Sequence, residues 1–256
     1  MKITFLGTGT SQGVPMIGCD CEVCRSKNPK EKRLRSSVLI QVNGKNIVID
    51  AGPDFRQQML RENVHRLDAV ILTHEHKDHV GGLDDVRAFN YIQKKPMDIY
   101  AEERVCNILQ TRDFAYVEER KNYPGIPKIN FNIIENKTFF IDNIIKIIPI
   151  RGMHMKLPVF GYRIKNFAYI TDMNYISFEE KEKLKKLDLL VINALRKKKH
   201  VSHFNLEEAL QIIDEVKPKQ AFLTHISHKL SFEHEDIKAL PENINLAYDG
   251  LSISNN

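Results

Sequence analysis

The segment Thr73–His79 concentrates metal-binding side chains more densely than any other part of the chain. It reads His74-x-His76-x-Asp78-His79 and directly follows an apolar run that predicts a β-strand. Ligands spaced this closely do not all reach one ion comfortably, but they can serve two neighbouring ions. In that arrangement the first two histidines turn one way and the Asp-His pair turns the other. The spacing therefore predicts a two-metal site in a loop that follows a strand.

Further candidate ligands stand where other predicted strands end. His154 follows the apolar run Ile144–Ile148, and Asp172 and His225 each close an apolar run of their own. Site residues of layered α/β folds concentrate at such strand ends. We therefore predict these three residues as metal ligands. Asp50, at the end of another apolar run, is predicted to orient a ligand loop without binding metal itself.

The complete set resembles the metallo-β-lactamase-fold hydrolases, whose motif is His-x-His-x-Asp-His followed by a distant His, an Asp and a last His. The resemblance implies an α/β fold (α+β in some schemes), a four-layer αββα sandwich of two mixed sheets with the metals along one edge. By position it implies a first ion on three histidines, a second ion on three further residues and a bridging carboxylate: His74, His76 and His154; Asp78, His79 and His225; and Asp172.

Three of the four cysteines, Cys19, Cys21 and Cys24, fall within six residues, and Cys106 lies far away in a helical stretch. Met1–Gly7 is predicted as a first strand rather than a secretory signal, and no stretch approaches the ~18 apolar residues of a transmembrane helix. We therefore expect a cytoplasmic protein with free thiols. In a reducing compartment such clustered thiolates predict a closed structural zinc site, Cys₃His or Cys₄.

His228 is the best candidate for the fourth zinc ligand, because three residues after His225 it can face away from the two-metal site. The Gly-Thr-Gly-Thr-Ser-Gln-Gly-Val-Pro run at Gly7–Pro15, the cysteine motif, and Arg-Leu-Arg-Ser-Ser at Arg33–Ser37 together resemble the PhnP-type branch of the superfamily. That branch includes a phosphoribosyl cyclic phosphate phosphodiesterase. The resemblance covers essentially the whole chain and implies structural zinc on the three cysteines and His228.

The chain is predicted to form a single domain over residues 1–256, with a zinc-binding loop at about 13–35, because no linker or repeat interrupts it and the ligands run from His74 to His225. Hairpins mixed with β–α units fit two sheets covered by helices. Helices are predicted over five segments: Phe55–Asn63, Val80–Phe89, Glu102–Arg112, Phe178–Leu187 and Leu206–Val216.

A net charge of +5 is too mild for a protein that coats nucleic acid. The chain has no Trp, and its aromatic residues are not interleaved with the basic runs, so a stacking platform for single strands is unsupported. We expect a small phosphate-ester substrate, with neither a membrane nor a nucleic acid as partner. The resemblance also implies a homodimer. Two basic clusters are either solvated loop charge or recruit a phosphate-bearing substrate: Lys27, Lys30, Lys32, Arg33 and Arg35; and Arg196–Lys199.

Two divalent ions (Zn or Mn) about 3.5–4 Å apart would activate a shared water and neutralise a phosphoryl oxygen during in-line displacement. The leaving alkoxide then needs a proton. His203 lies before a predicted helix, at the place where PhnP-type enzymes have a non-ligand histidine read as the general acid, and His200 is the alternative. Asp78 and His203 are the predicted catalytic residues.

The predicted function is a metal-dependent phosphodiesterase that hydrolyses a small or cyclic phosphodiester such as 5-phosphoribosyl 1,2-cyclic phosphate. A tRNA 3′-processing ribonuclease would share the ligands, but the short interval between His154 and Asp172 leaves no room for its RNA-binding arm. A PqqB-like accessory protein without catalysis would share the cysteine motif, yet it would not need the complete ligand set. A β-lactamase is disfavoured by the missing signal and by the cysteine motif.

Overall fold

A computed structural model of the chain describes residues 1–115 and 125–254. Fifteen strands lie in this part of the chain, and several end at or just before a predicted site residue. The strands are β1 (Lys2–Gly7), β2 (Ser37–Val42), β3 (Lys45–Ile49), β4 (Ala69–Ile71), β5 (Met97–Glu102), β6 (Ile129–Ile134), β7 (Phe139–Ile141), β8 (Ile145–His154), β9 (Leu157–Ile164), β10 (Phe167–Ile170), β11 (Tyr175–Ile176), β12 (Leu189–Asn193), β13 (Gln220–Thr224), β14 (Ile244–Leu246) and β15 (Ser252–Ser254).

Most of the described helices are short and follow strands. They are α1 (Glu22–Arg25), α2 (Phe55–Arg61), α3 (Lys77–Val80), α4 (Arg87–Gln93), α5 (Glu103–Ile108), α6 (Phe178–Glu182), α7 (Leu206–Val216) and α8 (Glu235–Lys238), with 3₁₀ turns at Pro29–Glu31 and Leu83–Val86 and a π-helical turn at Leu109–Asp113. No helix of the described residues is both long and apolar enough to cross a bilayer.

The strands form two mixed sheets with the same internal plan. The first has the order β15-β1-β2-β3-β4-β5-β6, and the second has the order β11-β8-β9-β10-β12-β13-β14, with β7 added beside β8. Each sheet begins with antiparallel pairs and ends with parallel ones, from β3 to β6 in the first and from β10 to β14 in the second. The carboxyl ends of neighbouring parallel strands share an edge, which is where ligands bind in open α/β sheets.

Three apolar layers hold this arrangement together. The central layer joins the facing sides of the two sheets and includes Phe5, Phe160 and Tyr169, all fully buried. The outer face of the first sheet packs under α2, α4 and α5, and the outer face of the second packs under α6 and α7. The predicted four-layer αββα sandwich with two mixed sheets is confirmed.

The helix prediction over Val80–Phe89 is wrong as a single helix. The chain instead forms α3, a 3₁₀ turn and α4, with Gly81 and Gly82 at the break. A Cβ on Gly82 would lie 2.1 Å from the carbonyl oxygen of Gly52, so only glycine fits this close approach of two loops. The prediction for α7 is confirmed to the residue, and its Asn205/Glu208 capping box is formed.

Candidate functional site

The predicted site residues of the first sheet follow two neighbouring parallel strands. Asp50 follows β3 and His74 follows β4 by three residues, and Ile49 pairs with Ile71 in the register of these strands. The backbone N–H of Thr73 donates to Asp50 Oδ1 at 2.9 Å, which ties the two strand ends together. The hydrophobic β4 strand thus delivers the histidine motif to the edge at which β3 delivers a carboxylate.

The second sheet contributes its ligands in the same way. Asp172 follows β10 and His225 follows β13, and both strands are parallel neighbours of β12. Asn193, the last residue of β12, accepts a hydrogen bond from Met173 N at 3.0 Å and donates one to Met173 O at 3.0 Å. These two hydrogen bonds fix the chain immediately after Asp172. The position of the Asp172 carboxylate therefore depends on the end of β12 as well as on β10.

Three strand-end residues adopt left-handed backbone conformations. The φ angles are 65° at Asp50, 54° at Asp172 and 54° at His225. A non-glycine residue held in this region costs on the order of 1–3 kcal/mol, and such residues cluster at functional sites. These strained residues all belong to one cluster, because Asp50 and Asp172 both contact His79, and Asp172 also contacts His225.

Asp172 is the common member of the three groups of potential ligands at this edge. Within each group the ligand atoms lie within 4.8 Å of one another, and the groups are Asp78, His79, Asp172 and His225; His74, His76 and Asp172; and His154, Asp172 and His203. All seven predicted active-site ligands are therefore brought together. The sharing of one carboxylate matches the bridge that the resemblance implies, and the ligand roles stay a prediction.

The Asp172 carboxylate lies within contact distance of rings from both halves of the site. Its Oδ1 is 2.9 Å from His225 Nδ1, and its Oδ2 is 3.1 Å from His79 Nε2 and 3.5 Å from His74 Nε2. Burial alone would raise the pKa of Asp172, but His225 and His79 hold it well below the ordinary value. The carboxylate is therefore charged, as a metal ligand must be.

The hydrogen bonds behind two histidines decide which ring nitrogen faces the site. The Thr73 hydroxyl donates its only proton to Asp50 Oδ2 at 2.9 Å. Toward His74 Nδ1, 3.0 Å away, Thr73 Oγ1 can therefore act only as an acceptor. His79 Nδ1 lies 2.7 Å from the same Asp50 oxygen. His74 therefore carries its proton on Nδ1 and presents a bare Nε2 that is buried without a hydrogen-bond partner. A buried imidazole lone pair with no donor is what a metal ion satisfies.

His154 is oriented by the same principle from the second sheet. Its Nδ1 lies 2.8 Å from the backbone carbonyl of Ser202, which can only accept, so the proton resides on Nδ1. The His154 ring stands 5.1 Å from that of His76 and 5.7 Å from that of His74, centroid to centroid. The three predicted ligands of the first ion thus face one another with Nε2 of His74 and His154 available.

The charge balance around His79 also fits a bound cation. Burial would lower the pKa of His79, but Asp78, Asp172 and Asp50 raise it well above the ordinary value. Three carboxylates around one buried ring leave an excess of negative charge that a proton on His79 only partly neutralises. A divalent ion among these donors would replace that proton. The residues present therefore fit a two-metal centre in both donor type and charge.

His203 lies beside the predicted ligands without belonging to the strand ends. Its ring stacks 5.0 Å from His225 and lies 4.7 Å from His154, and its Nδ1 is 3.7 Å from Asp172 Oδ1. Burial lowers the pKa of His203 to about 3, so the ring is neutral in the free site. The ring of His200, the alternative acid, lies 5.0 Å from the ring of His203, centroid to centroid.

The cysteine cluster forms a second, separate group. His228 Nδ1 lies 3.2, 3.4 and 3.6 Å from the sulfur atoms of Cys19, Cys21 and Cys24. The Cys24 backbone N–H lowers the pKa of Cys21 to about 6, whereas burial raises the pKa of Cys24 to about 11. Three thiols and an imidazole converging on one point are the donor set of a closed zinc site, and uptake of zinc there would release the Cys24 proton.

Replacing Cys21 with serine tests the structural assignment. We expect Cys21→Ser to lose the tightly held zinc and to lower the melting temperature by about 8–16 °C, because losing a structural metal costs about 4 kcal/mol. The matched control is Cys106→Ser, since Cys106 is buried in α5 and belongs to none of the metal-ligand groups of the described residues. Unchanged stability and zinc content in Cys21→Ser with lost catalysis would instead assign the cysteines to the reaction.

Two residues that orient the site were not predicted from the sequence. Thr73 sets the tautomer of His74, and Asn193 clamps the chain after Asp172. Asn193 has a readable signal, because it ends the apolar run of β12 just as the predicted ligands end theirs. Thr73 has none, since a threonine between a strand and a histidine is ordinary.

Comparison with known proteins agrees with this geometry. Residues 45–226 match the Beta-lactamase superfamily domain. The crystal structure of a diphosphatase from the PhnP family superposes with a TM-score of 0.92 at 39% identity, covering 100% of this chain and 98% of that one. The chain therefore belongs to the metallo-β-lactamase superfamily and, within it, to the PhnP family.

Two other relatives are informative. An octanoyltransferase of Porphyromonas gingivalis is 43% identical over 98% of this chain, but the match covers only 51% of that protein, so the chain spans about half its length. Zinc-bound PqqB from Methylobacterium extorquens superposes with a TM-score of 0.79 at 19% identity, covering 99% of this chain and 100% of that one. The second likeness shows the fold alone.

Proposed function

We propose that this protein is a metal-dependent phosphodiesterase that hydrolyses a small or cyclic phosphodiester. The observation that carries the proposal is the placement of Asp172, a charged and buried carboxylate shared by three groups of histidine and aspartate donors. Paired metal sites joined by a carboxylate are suited to phosphoryl transfer, because they can stabilise both the attacking and the leaving oxygen. The PhnP-family diphosphatase supports phosphate chemistry for the same site.

We assign the proposed ligands to two ions, zinc or manganese, in the way that the resemblance implies. His74, His76 and His154 would hold one ion, and Asp78, His79 and His225 the other, with Asp172 between them. When bound, the two ions supply Lewis acidity and lower the pKa of a coordinated water. The role of Asp50 and Thr73 is to keep His74 and His79 in the tautomers that such binding requires.

His203 is proposed to donate the proton to the leaving oxygen. It is 9% exposed and lies at the open side of the ligand groups, where it also lines the adjoining cavity. The free ring is neutral, but an anionic substrate adds negative charge beside it. That charge raises the pKa of His203 toward the range that a general acid needs.

Three other activities fit the structure less well. A ribonuclease arm between His154 and Asp172 has no room, because β9 and β10 fill that interval as a hairpin. A PqqB-like accessory role leaves the complete and oriented donor set unexplained. The octanoyltransferase match leaves about half of that protein uncovered, so its name does not identify which half carries the transfer activity.

A panel of phosphate esters assayed with Zn²⁺ and with Mn²⁺ tests the proposal. It should contain 5-phosphoribosyl 1,2-cyclic phosphate, 2′,3′-cyclic nucleotides, bis(p-nitrophenyl) phosphate, a diphosphate ester, pre-tRNA and an octanoyl thioester. We expect hydrolysis of at least one small phosphodiester and none of the thioester or the pre-tRNA. Cleavage confined to pre-tRNA, to the diphosphate ester or to the thioester would overturn the proposed substrate class.

A further inference from the structure

Strand β9 of the second sheet approaches the histidine motif of the first sheet at three successive points. The Tyr162 hydroxyl donates to Leu72 O at 2.5 Å, and the Phe160 backbone N–H donates to Thr73 O at 3.1 Å. Pro158 is the next alternate residue of the strand, and its connection to the motif runs through the side chain of Arg104. The first two contacts between the sheets are therefore direct, whereas a guanidinium group makes the third.

Arg104 uses the two ends of its guanidinium group to make this connection. Its Nη1 contacts Oε1 of Glu75, the residue between the first two histidines of the motif. Its Nη2 donates to the Pro158 carbonyl at 2.8 Å. The donors of a guanidinium form a rigid planar fork, so one such group can hold two acceptors at a fixed separation, which a flexible ammonium group does not do.

The two segments that this guanidinium joins carry all three histidines proposed to hold the first ion. One segment is the motif itself, with His74 and His76. The other is the hairpin of β8 and β9, in which His154 pairs with Leu157, the neighbour of Pro158. The three histidines come from different sheets, so their mutual distance depends on the contacts that join these two segments.

The pair of Glu75 and Arg104 differs from an ordinary surface ion pair. The Glu75 side chain is only 11% exposed. Its Oε2 is buried and has no hydrogen-bond partner in the part of the chain that the structure describes. Exposed ion pairs contribute little, but the loss of one partner from a pair withdrawn from water leaves a charge without compensation. Without Arg104 the Glu75 carboxylate would be driven toward water, and the motif around it would shift.

A second ion pair holds Arg104 in this position. Glu102, the last residue of β5, lies 3.5 Å from Arg104 Nη2 and pairs with Arg151 at 2.6 Å. The guanidinium carbon of Arg151 lies 3.8 Å from the centre of the Phe160 ring. The fork of Arg104 is therefore oriented by neighbouring side chains, independently of anything bound at the site.

We propose that Arg104 is a positioning residue of the metal centre, which acts through Glu75 and the Pro158 carbonyl to set the distance between the motif histidines and His154. The inference deepens the proposed function and rests on its assignment of the first ion, but it does not depend on the substrate. It also gives a role to Glu75, which the sequence analysis left as an unspecified position of the motif.

Mn²⁺ binding to chelator-stripped protein that keeps its cysteine-bound zinc, measured by calorimetry, tests this role without a substrate. His154→Ala removes a proposed ligand of the first ion alone, so it identifies which binding event belongs to that ion. We expect Arg104→Met and Glu75→Met each to weaken this event by about 10- to 100-fold, the usual cost of losing a residue that orients a metal ligand. The other binding event should change little. Each single variant breaks the same contact, so either of them is sufficient for the test.

Arg163→Met is the matched control. Arg163 lies near the other end of β9 and donates to the backbone carbonyls of Lys183 and Lys185 at 2.6 and 2.9 Å. This variant should lower the melting temperature without changing the affinity for Mn²⁺. The double variant Arg104→Met, Glu75→Met should bind the first ion no more weakly than Arg104→Met alone, because the two side chains act through one contact.

The outcomes separate the positioning role from general stability and from the reaction. Unchanged affinity for the first ion in both single variants would overturn the role of Arg104. Equal weakening of both ions in Arg104→Met and in Arg163→Met would also overturn it, since a general loss of stability would then be responsible. Losses that add in the double variant would show that Arg104 does not act through Glu75. The expected losses in a protein that cleaves no phosphodiester would support Arg104 as a positioning residue and remove only the proposed reaction.

Discussion

Asp172→Asn should reduce phosphodiester hydrolysis by about 10²–10³-fold, the usual cost of removing one electrostatic group from an active site, because a neutral amide holds the proposed ions less well. Asparagine tolerates the left-handed backbone conformation, which has a φ of 54° at this position, so the fold is retained. The asparagine amide is neutral, so it cannot offset the positive charge of two neighbouring ions as the carboxylate would. We therefore also expect at least one of the two proposed active-site ions to be lost.

The matched control for this substitution is Asp142→Asn. Asp142 also adopts a left-handed conformation, with a φ of 50°, but it lies in the turn between β7 and β8 and pairs with Lys45. The chemical change and the backbone constraint are thus the same at both positions. Wild-type turnover and metal content in Asp172→Asn, measured by steady-state kinetics and elemental analysis, would show that this carboxylate does not bridge.

His203→Ala should separate substrates according to their leaving groups. A general acid matters in proportion to how poor the leaving group is, so cleavage of an alkyl or ribosyl diester should fall by roughly 10²–10⁴-fold. Hydrolysis of bis(p-nitrophenyl) phosphate should change little, since a phenolate departs without a proton. Metal content should also stay the same, because His203 is not assigned as a ligand.

His200→Ala and His65→Ala are the companions of that experiment. His200 lines the same cavity as His203, whereas His65 lines a different cavity beside α2 and α4. If His200→Ala shows the leaving-group dependence and His203→Ala does not, the acid is His200. Equal losses on aryl and alkyl esters in His203→Ala would point to metal support or binding.

The convergence of the candidate ligands on one edge was predictable because its signal is local. Each predicted ligand sits in one dense motif or at the end of an apolar run, and parallel pairing of those runs brings their ends to one edge. The grouping of His228 with the three cysteines was also accessible, since its placement three residues after His225 lets it face the other way. Residues at strand ends and residues in closely spaced motifs can therefore be placed together from the sequence alone.

Features that depend on contacts between distant loops were not predictable. Gly82 breaks the helix predicted over Val80–Phe89 because Gly52 approaches it from another part of the chain. The basic cluster near Arg33 looked like surface charge, yet Arg33 is buried against Glu31 and the carbonyl of Ala247. Neither of these contacts between distant parts of the chain produces a periodicity or a motif in the sequence.

Titrating Zn²⁺ or Mn²⁺ into chelator-stripped protein that keeps its cysteine-bound zinc tests the central claim most directly. Bound ions and the rate of bis(p-nitrophenyl) phosphate hydrolysis are measured on the same samples. Because Asp172 is shared by the donor groups assigned to both ions, we predict that activity rises in step with the second ion bound per chain. We also predict that Asp172→Asn stays strongly reduced in activity at every metal concentration. Full activity with one ion or with none would contradict a two-metal phosphodiesterase.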